Sequence, residues 1–588
     1  MWRVLLSLLV LFMNGWAVLF FLNHFKPSRK SCYVEVAVYS FSIGYSVLTL
    51  VGVALAQFGF LTQSISLLVC ILIPLPAVCF WIYQKRKENF HPHDKTSYVI
   101  ETWTQPISDA INRACHQLRL WHVVLLAVFV VGLVLRLESQ LSVDWLGDMD
   151  PYYHLSFIDS LIAQGTLPSQ TFWGFYSYPP SFHVVLATLI SITQVDRFAF
   201  MKIVPEFLGF LCVPAVHLVV KRKYGEWAGV AAAAFLAVSS FHIYRTNIAI
   251  PEPLALLGML MFFYATETHT GTKKYLVGGL LASMVFLTNV VGIIYFLPCA
   301  LAVTVVLLLS RQWNKATGIL KALFLGAALS GFFWLPTLYK LGLNGIFEGL
   351  GPSVSYGGAF SFTSNTYLSW IGWGALVFAA VGAYTCLRDF KNNIVLLIPI
   401  AVFMFLIEAG NNGYFFFDAN LLFRGLLYLG TWASLLAGVG FGRVLQYRKE
   451  KTAAVVLCGV IVLTMVSFPV FSKSQYPVTW DYEISDLAYR SYLNNYADIF
   501  NSKDYRIYSA DAWFNYGAFN NVILDRELPQ IEDAALRNDS AALRNLISEY
   551  KIRYFIFGNG TAEAEFFAQS GFVNTYYQNW LTIVLAVK

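Results

Sequence analysis

Apolar runs of about 17–25 residues, long enough to cross a bilayer as helix, recur from one end of this chain to the other. They fall near 2–23, 34–56, 62–83, 121–138, 200–220, 226–240, 253–267, 275–291, 293–310, 316–338, 367–386, 393–408, 422–442 and 453–472. Inside lipid only helices and closed barrels satisfy the backbone, and these runs are continuous with no period of two, so helices are expected. With 57% hydrophobic and 13% charged residues over 588 positions, a soluble multidomain protein is excluded. The reading is a polytopic α-helical membrane protein with about 14 transmembrane helices. The first run is kept as a helix, because it is long and lacks a clear cleavage site.

The status of the apolar segment 182–195 decides the topology. The basic clusters are Lys26/Arg29/Lys30, Lys85/Arg86/Lys87, Lys221/Arg222/Lys223, Lys273/Lys274, Arg311/Lys315, Arg388/Lys391 and Arg443/Arg448/Lys449/Lys451. If 182–195 does not cross, all of them lie on one face, which the positive-inside rule makes cytoplasmic. If it crosses, every cluster from Lys221 onward flips outside. The first arrangement is chosen. It makes 182–195 a helix lying at the outer surface behind the Tyr178-Pro179-Pro180 breaker, and it sends the N-terminus, the outer loop 139–199, the loops 241–252, 341–366 and 409–421, and the tail from about 473 outward. The net charge of +6 is then anchoring charge and not a nucleic-acid footprint.

Four regions result: N-terminal transmembrane helices over 1–83, a cytoplasmic linker over 84–120, a main transmembrane domain over 121–472, and an extracytoplasmic α/β domain over 473–588. In the last, a helix is expected near 481–499 and another near 541–550. "YRIYS", "RYFIF" and "WLTIVLAV" read as strands. Eight scattered cysteines without a CxxC give neither a zinc site nor a disulfide framework. Asn538 and Asn559 head sequons in the outward tail.

Four stretches carry candidate chemistry. "WLGDMDPYYHL" places Asp148 and Asp150 in an outer loop, with His154 four residues on. Asp-x-Asp supplies hard oxygen ligands for Mg²⁺ or Mn²⁺, and equally reads as N-cap chemistry before Pro151. "FHIYRTNIAIPEPLAL" places Arg245 and Glu252 in a short outer loop, Glu252 opening a helix between two prolines. That glutamate is either a first-turn acid favouring the helix dipole or a functional carboxylate at the membrane boundary. Arg424, with Tyr428 one turn on, begins a helix at its outer end, where it can snorkel or hold a phosphate through two donors. "GLGPSVSYGGAFSFTSNTY" is a connector or a loop that closes over substrate.

Together these stretches resemble the GT-C superfamily of membrane glycosyltransferases, most closely the catalytic subunit of oligosaccharyltransferase in its archaeal and bacterial forms, over about residues 121–588. "DMDPYYHL" is similar to the family's Asp-Pro-Tyr/Trp-Tyr-His block, with Asp150 at the acidic position. Arg245 and Glu252 fall at the spacing of its outer arginine-plus-acid motif. "FRGLLYLGTWASLLAG" resembles its Arg–Tyr–Ala-Gly helix, which makes Arg424 the partner of the carrier phosphate. "WFNYG", Trp513 to Gly517, looks like a worn Trp-Trp-Asp-Tyr-Gly acceptor motif. The chain departs from the pattern at Leu254, where a second acid stands in the family, and at Tyr356, where the Ser-Val-Ser-Glu glutamate is missing. It departs again at Phe514 and Asn515.

The resemblance implies transfer of a sugar or oligosaccharide from a polyprenyl-phosphate-linked, dolichyl-type donor to a protein or glycan acceptor on the extracytoplasmic face of a multi-pass membrane protein. Asp150 and Glu252 are the expected catalytic carboxylates, and Arg424, Arg245, His154, Tyr428, Trp513 and Tyr516 the expected substrate contacts. Asp148, Asp150 and Glu252 are the candidate ligands of a divalent metal. The competing classes are a transporter or flippase of a lipid-linked glycan and a non-catalytic scaffold of the same fold.

Overall fold

A computed structural model describes residues 1–22, 33–89, 119–141, 146, 150–167, 170–171, 174–175, 178–348, 364–412, 419–446, 448–467, 506–509, 522–524, 529–537, 539–558, 562–571, 573–578 and 582–588. Asp148, Trp513, Tyr516, the loop 349–363, the expected helix near 481–499 and both sequon asparagines lie outside them, as does the side chain of Asp150.

The N-terminal region forms α1 (Trp2–Phe21), α2 (Tyr33–Gln57), α3 (Gln63–Leu72) and α4 (Leu75–Asn89). Next come α5 (Leu120–Leu141), α6 (Asp150–Gln164), a two-residue antiparallel pair of β1 (Gln170–Thr171) and β2 (Gly174–Phe175), and α7 (Ser181–Thr193). The bundle continues through α8 (Arg197–Phe210), α9 (Cys212–Tyr224), α10 (Glu226–Ala237), α11 (Ser240–Thr246), α12 (Glu252–Thr268), α13 (Gly271–Thr288), α14 (Val290–Leu309) and α15 (Trp313–Glu348). It closes with α16 (Ser364–Ile371), α17 (Trp373–Arg388), α18 (Phe390–Asn411), α19 (Ala419–Val444) and α20 (Glu450–Ser467).

Among the described residues nine helices are long and apolar enough to span a membrane, or ten if the pair α10 and α11 counts as one broken span, in place of the about 14 expected. Four of the five runs not counted have physical reasons. The runs at 226–240 and 367–386 are broken, the first by a 65° bend between α10 and α11 and the second at Gly372, whose φ is +96°. Helix α12 has 17 residues and α13 opens on the polar Gly271-Thr272-Lys273-Lys274, whereas α20 has 18 residues whose side chains beyond Val462 lie outside the described ones. Helix α12 is buried on every face from Glu252 to Ala265, so protein and not lipid surrounds it.

Lipid-facing helices show the opposite pattern. On α5, Leu126, Val130 and Val134 are exposed at a spacing of four, while Trp121, Leu125, Val128 and Arg136 turn inward. Close approach elsewhere rests on glycine. A Cβ at Gly382 of α17 would strike the carbonyl of Leu436 on α19, and one at Gly440 would strike that of Phe378. Small residues facing each other let two backbones meet where no hydrophobic force drives them together.

Helix α7 corrects a second expectation. It is too short to cross, as expected, but it does not lie on a surface. Almost all of its side chains are buried, and α1, α2, α3 and α6 cover it. Thr49 and Ser181 hydroxyls sit 2.5 Å apart, and those of Ser7 and Thr193 3.2 Å apart. The N-terminal helices are thereby tied to the rest of the bundle.

The C-terminal region is a mixed five-stranded sheet with β3 (Arg506–Ser509), β4 (Val522–Leu524), β5 (Ile552–Gly558), β6 (Val573–Gln578) and β7 (Thr582–Val587) in the order β4-β3-β5-β7-β6. Strands β4, β3 and β5 run parallel, and β7 is antiparallel to both β5 and β6. Helices α21 (Pro529–Leu536), α22 (Ser540–Glu549) and α23 (Ala562–Gln569) accompany it, and Phe555, Phe557, Phe567, Leu543 and Leu585 form the core.

Candidate active site

The site is built on the break between α10 and α11. Ending a helix inside an apolar bundle leaves carbonyls without partners. Arg136, fully buried on α5, supplies the missing donors. Its guanidinium donates to the carbonyls of Ala237 at 3.1 Å and Leu236 at 3.3 Å. It also donates to Thr246 Oγ1 at 2.8 Å and to His242 Nδ1 at 2.7 Å, so it holds both limbs of the bend.

The bend delivers Arg245 to the last turn of α11, and Pro251 and Pro253 fix the start of α12 around Glu252. Arg245 donates through Nη2 and Nε to a single oxygen, Glu252 Oε2, at 2.6 and 3.1 Å. Both side chains are buried. Glu252 Oε1 has no hydrogen-bond partner among the described residues. A buried carboxylate neutralised on one oxygen keeps an acceptor open on the other.

Helix α19 brings Arg424 and Tyr428 to the same place. Tyr428 is fully buried and stacks on Tyr295 of α14, with ring centroids 4.8 Å apart and planes 17° apart. Glu252, Arg245, Arg424 and Tyr295 are the charged and polar groups within electrostatic reach of its hydroxyl. Arg424 Nε and Tyr428 Oη, both buried, lack partners among the described residues. Tyr295 in turn faces Glu252 and Tyr367, and Tyr367 donates its hydroxyl to Glu408 Oε1.

Four residues picked from the sequence, Arg245, Glu252, Arg424 and Tyr428, thus come together. Four others were missed. Glu408 reads as an ordinary acid at the end of an apolar run, and Tyr367 and Tyr295 as membrane-interface aromatics. Arg136 sits at the end of a run and carries no motif. The one legible signal was that Arg136, with Glu138 two residues on, and Glu408 are ionisable residues at the ends of apolar runs.

Asp150 heads α6, and His154 lies one turn further on. His154 Nδ1 and His183 Nε2 are 2.8 Å apart. Tyr178 packs against both rings and accepts a hydrogen bond from Asn289 at 2.9 Å. Burial and the adjacent His154 hold His183 well below the usual histidine range, so His183 is neutral at pH 7. On the same helix Asp159 pairs with Arg197 at 2.5 Å. Burial pushes that carboxyl up, and Arg197 opposes the shift.

Of the three candidate metal ligands, Asp148 and the side chain of Asp150 lie outside the described residues, which leaves Glu252. Among the described residues no three His, Cys, Asp or Glu side chains cluster. Glu252 offers one free oxygen, and Arg245 already neutralises its charge.

No family model matches the sequence. Over 223 residues the chain is 24% identical to dolichyl-phosphooligosaccharide-protein glycotransferase 1 of Pyrococcus furiosus, a match over 34% of this chain and 23% of that relative. Its structure aligns with that of ArnT from Cupriavidus metallidurans bound to undecaprenyl phosphate at a TM-score of 0.56 and 13% identity, covering 79% of this chain and 97% of the other. The apo form of the same protein aligns at a TM-score of 0.51. The fold is GT-C-like. An oligosaccharyltransferase from Archaeoglobus fulgidus aligns less closely, at a TM-score of 0.47 and 13% identity, over 74% of this chain and 68% of that one. What the alignments with ArnT show is a shared fold.

Proposed function

We propose that this protein is a membrane glycosyltransferase that takes a sugar from a polyprenyl-phosphate-linked donor and passes it to a protein or glycan acceptor on the extracytoplasmic face. The observation that carries the reading is the convergence of Arg424, Tyr428 and the Arg245–Glu252 pair at one end of the bundle, with Arg424 Nε, Tyr428 Oη and Glu252 Oε1 lacking partners among the described residues. That ArnT was solved bound to undecaprenyl phosphate supports a lipid phosphate as the ligand class.

In glycosyl transfer the bond from the sugar carbon to the carrier phosphate oxygen breaks, and a bond from the acceptor atom to that carbon forms. Positive charge builds on the carbon and negative charge on the leaving phosphate. Arg424 is assigned the phosphate, which a guanidinium meets with two donors. Glu252 Oε1 is assigned to the sugar or to the acceptor hydrogen, its charge held in place by Arg245. Asp150, at the head of α6, is assigned the role of base that takes the acceptor proton.

The test is transfer from a panel of polyprenyl-linked sugars by the purified full chain. We expect Asp150→Ala and Arg424→Ala each to lower turnover by about a hundredfold or more. Arg424→Lys, a single point donor, recovers only part of the loss. EDTA is expected to leave the rate within about twofold, because Arg245 already answers the Glu252 charge. No transfer in any arm, with donor still bound, would favour the scaffold or flippase reading, and wild-type rates in both variants would remove Asp150 and Arg424 from the reacting site.

A further inference from the structure

Glu252 stands at the start of α12 and Glu267 in its last turn, roughly 22 Å away at 1.5 Å per residue. The far end of this helix holds a second charged cluster that the proposed reaction does not use. Glu267 is mostly buried. Its Oε2 is 3.1 Å from Lys223 Nζ, and its Oε1 is 3.8 Å from Lys315 Nζ. Lys274, from the first turn of α13, faces Glu267, Lys315 and Arg222. Its aliphatic stem lies where a side chain on Gly318 of α15 would be. Glu267 therefore stands among four cations drawn from α9, α13 and α15, with Glu35 of α2, which accepts from Tyr264, at the same end of α12.

Two of these cations lie where the helix dipole does not favour them. Lys274 sits in the first turn of α13 and Lys315 in the first turn of α15, beside N-terminal N–H groups that attract anions. Exposed Trp313 opens α15 two residues before Lys315. An amphipathic indole at a helix end marks a membrane–water boundary. Positive charge, helix N-termini and an interfacial aromatic together match a phosphate diester held at the lipid surface.

We propose that Arg222, Lys274 and Lys315 form a binding site for the phosphate of an acidic phospholipid, at the end of α12 opposite the candidate active site. A soluble phosphate shares this chemistry, and the position beside Trp313 at the ends of spanning helices favours the lipid.

The experiment is native mass spectrometry of the delipidated full chain in detergent, given equal phosphatidylglycerol and phosphatidylcholine. A parallel arm offers inorganic phosphate without lipid. Wild type is expected to retain phosphatidylglycerol about tenfold over phosphatidylcholine, and Arg222→Gln with Lys274→Gln to lose that preference. Lys451→Gln, an exposed lysine on α20, should keep it. Glu267→Gln removes the opposing carboxylate and should strengthen retention, which a mere loss of folding cannot do. Equal retention of both lipids by wild type, an unchanged preference in the double variant, or weaker retention in Glu267→Gln would each overturn the site. Inorganic phosphate binding as well as phosphatidylglycerol would overturn the lipid assignment.

Discussion

Arg245 and Glu252 form an ion pair that burial makes costly to break and inexpensive to replace whole. Two charges removed from water attract each other strongly, yet desolvation offsets most of the gain. Arg245→Ala leaves a buried carboxylate whose other oxygen already lacks a partner among the described residues. The expected loss is about 3–5 kcal/mol, read from thermal or denaturant unfolding in detergent. Arg245→Met with Glu252→Met should recover most of that loss in stability while leaving turnover abolished. A pair retained only for stability would instead recover both. His183 gives a second residue-scale prediction. Its folded pKa lies below the unfolded value near 6.5, so between the two the unfolded chain binds more protons. Its contribution is present above about pH 6.5 and is lost as pH falls, by up to about 1.4 kcal/mol per pH unit. The unfolding midpoint should therefore drop from pH 7 to pH 5.5, and His183→Phe should flatten that slope. An equal slope in the variant would remove His183 as the cause.

At the scale of elements, the bend between α10 and α11 explains both what the sequence disclosed and what it hid. Helices α1, α2 and α5 were legible because each is one uninterrupted apolar run. The 226–240 run looked the same, and Val238-Ser239-Ser240 contains no proline or glycine to announce a break. The break is held by Arg136, about a hundred positions earlier, and no local pattern carries that information. Glycine 372 did offer a local sign at the second break. Helix α7 was misplaced for a different reason. A helix lying in an interface shows one polar face; 182–195 is apolar all round, which is the mark of burial. Replacing Arg136 tests the bend. Arg136→Leu leaves the Leu236 and Ala237 carbonyls unpaired in an apolar setting, at about 1–3 kcal/mol each. It should also move Arg245, so kcat should fall by more than tenfold even at temperatures where the variant is fully folded. Arg136→Lys, without the planar fork, should not rescue it. Normal kcat in a folded Arg136→Leu protein would reduce this residue to a structural role.

For the whole molecule, the assignment of faces rests on charge. The basic clusters from Lys221 to Lys451 fall on one side if the shorter and broken apolar helices cross together with the nine long ones and α7, only 13 residues long, does not. The candidate site and the basic cluster around Glu267 then sit at opposite ends of α12. Helix α20 separates Lys451 from the C-terminal sheet. Its 18 residues span about 27 Å, close to the hydrocarbon thickness. Val455 and Val462 lie exposed along it, as lipid-facing side chains do. The sheet should therefore lie on the face opposite Lys451. In a background with the eight cysteines replaced by serine, Lys451→Cys and Ser540→Cys report the two sides. A membrane-impermeant maleimide added to right-side-out vesicles should label Ser540→Cys and spare Lys451→Cys. Inverted vesicles should give the reverse. Labelling of both from one side would mean that α20 does not cross. The sheet would then share the compartment of the basic clusters, out of reach of an acceptor bound at the Arg245–Glu252 end.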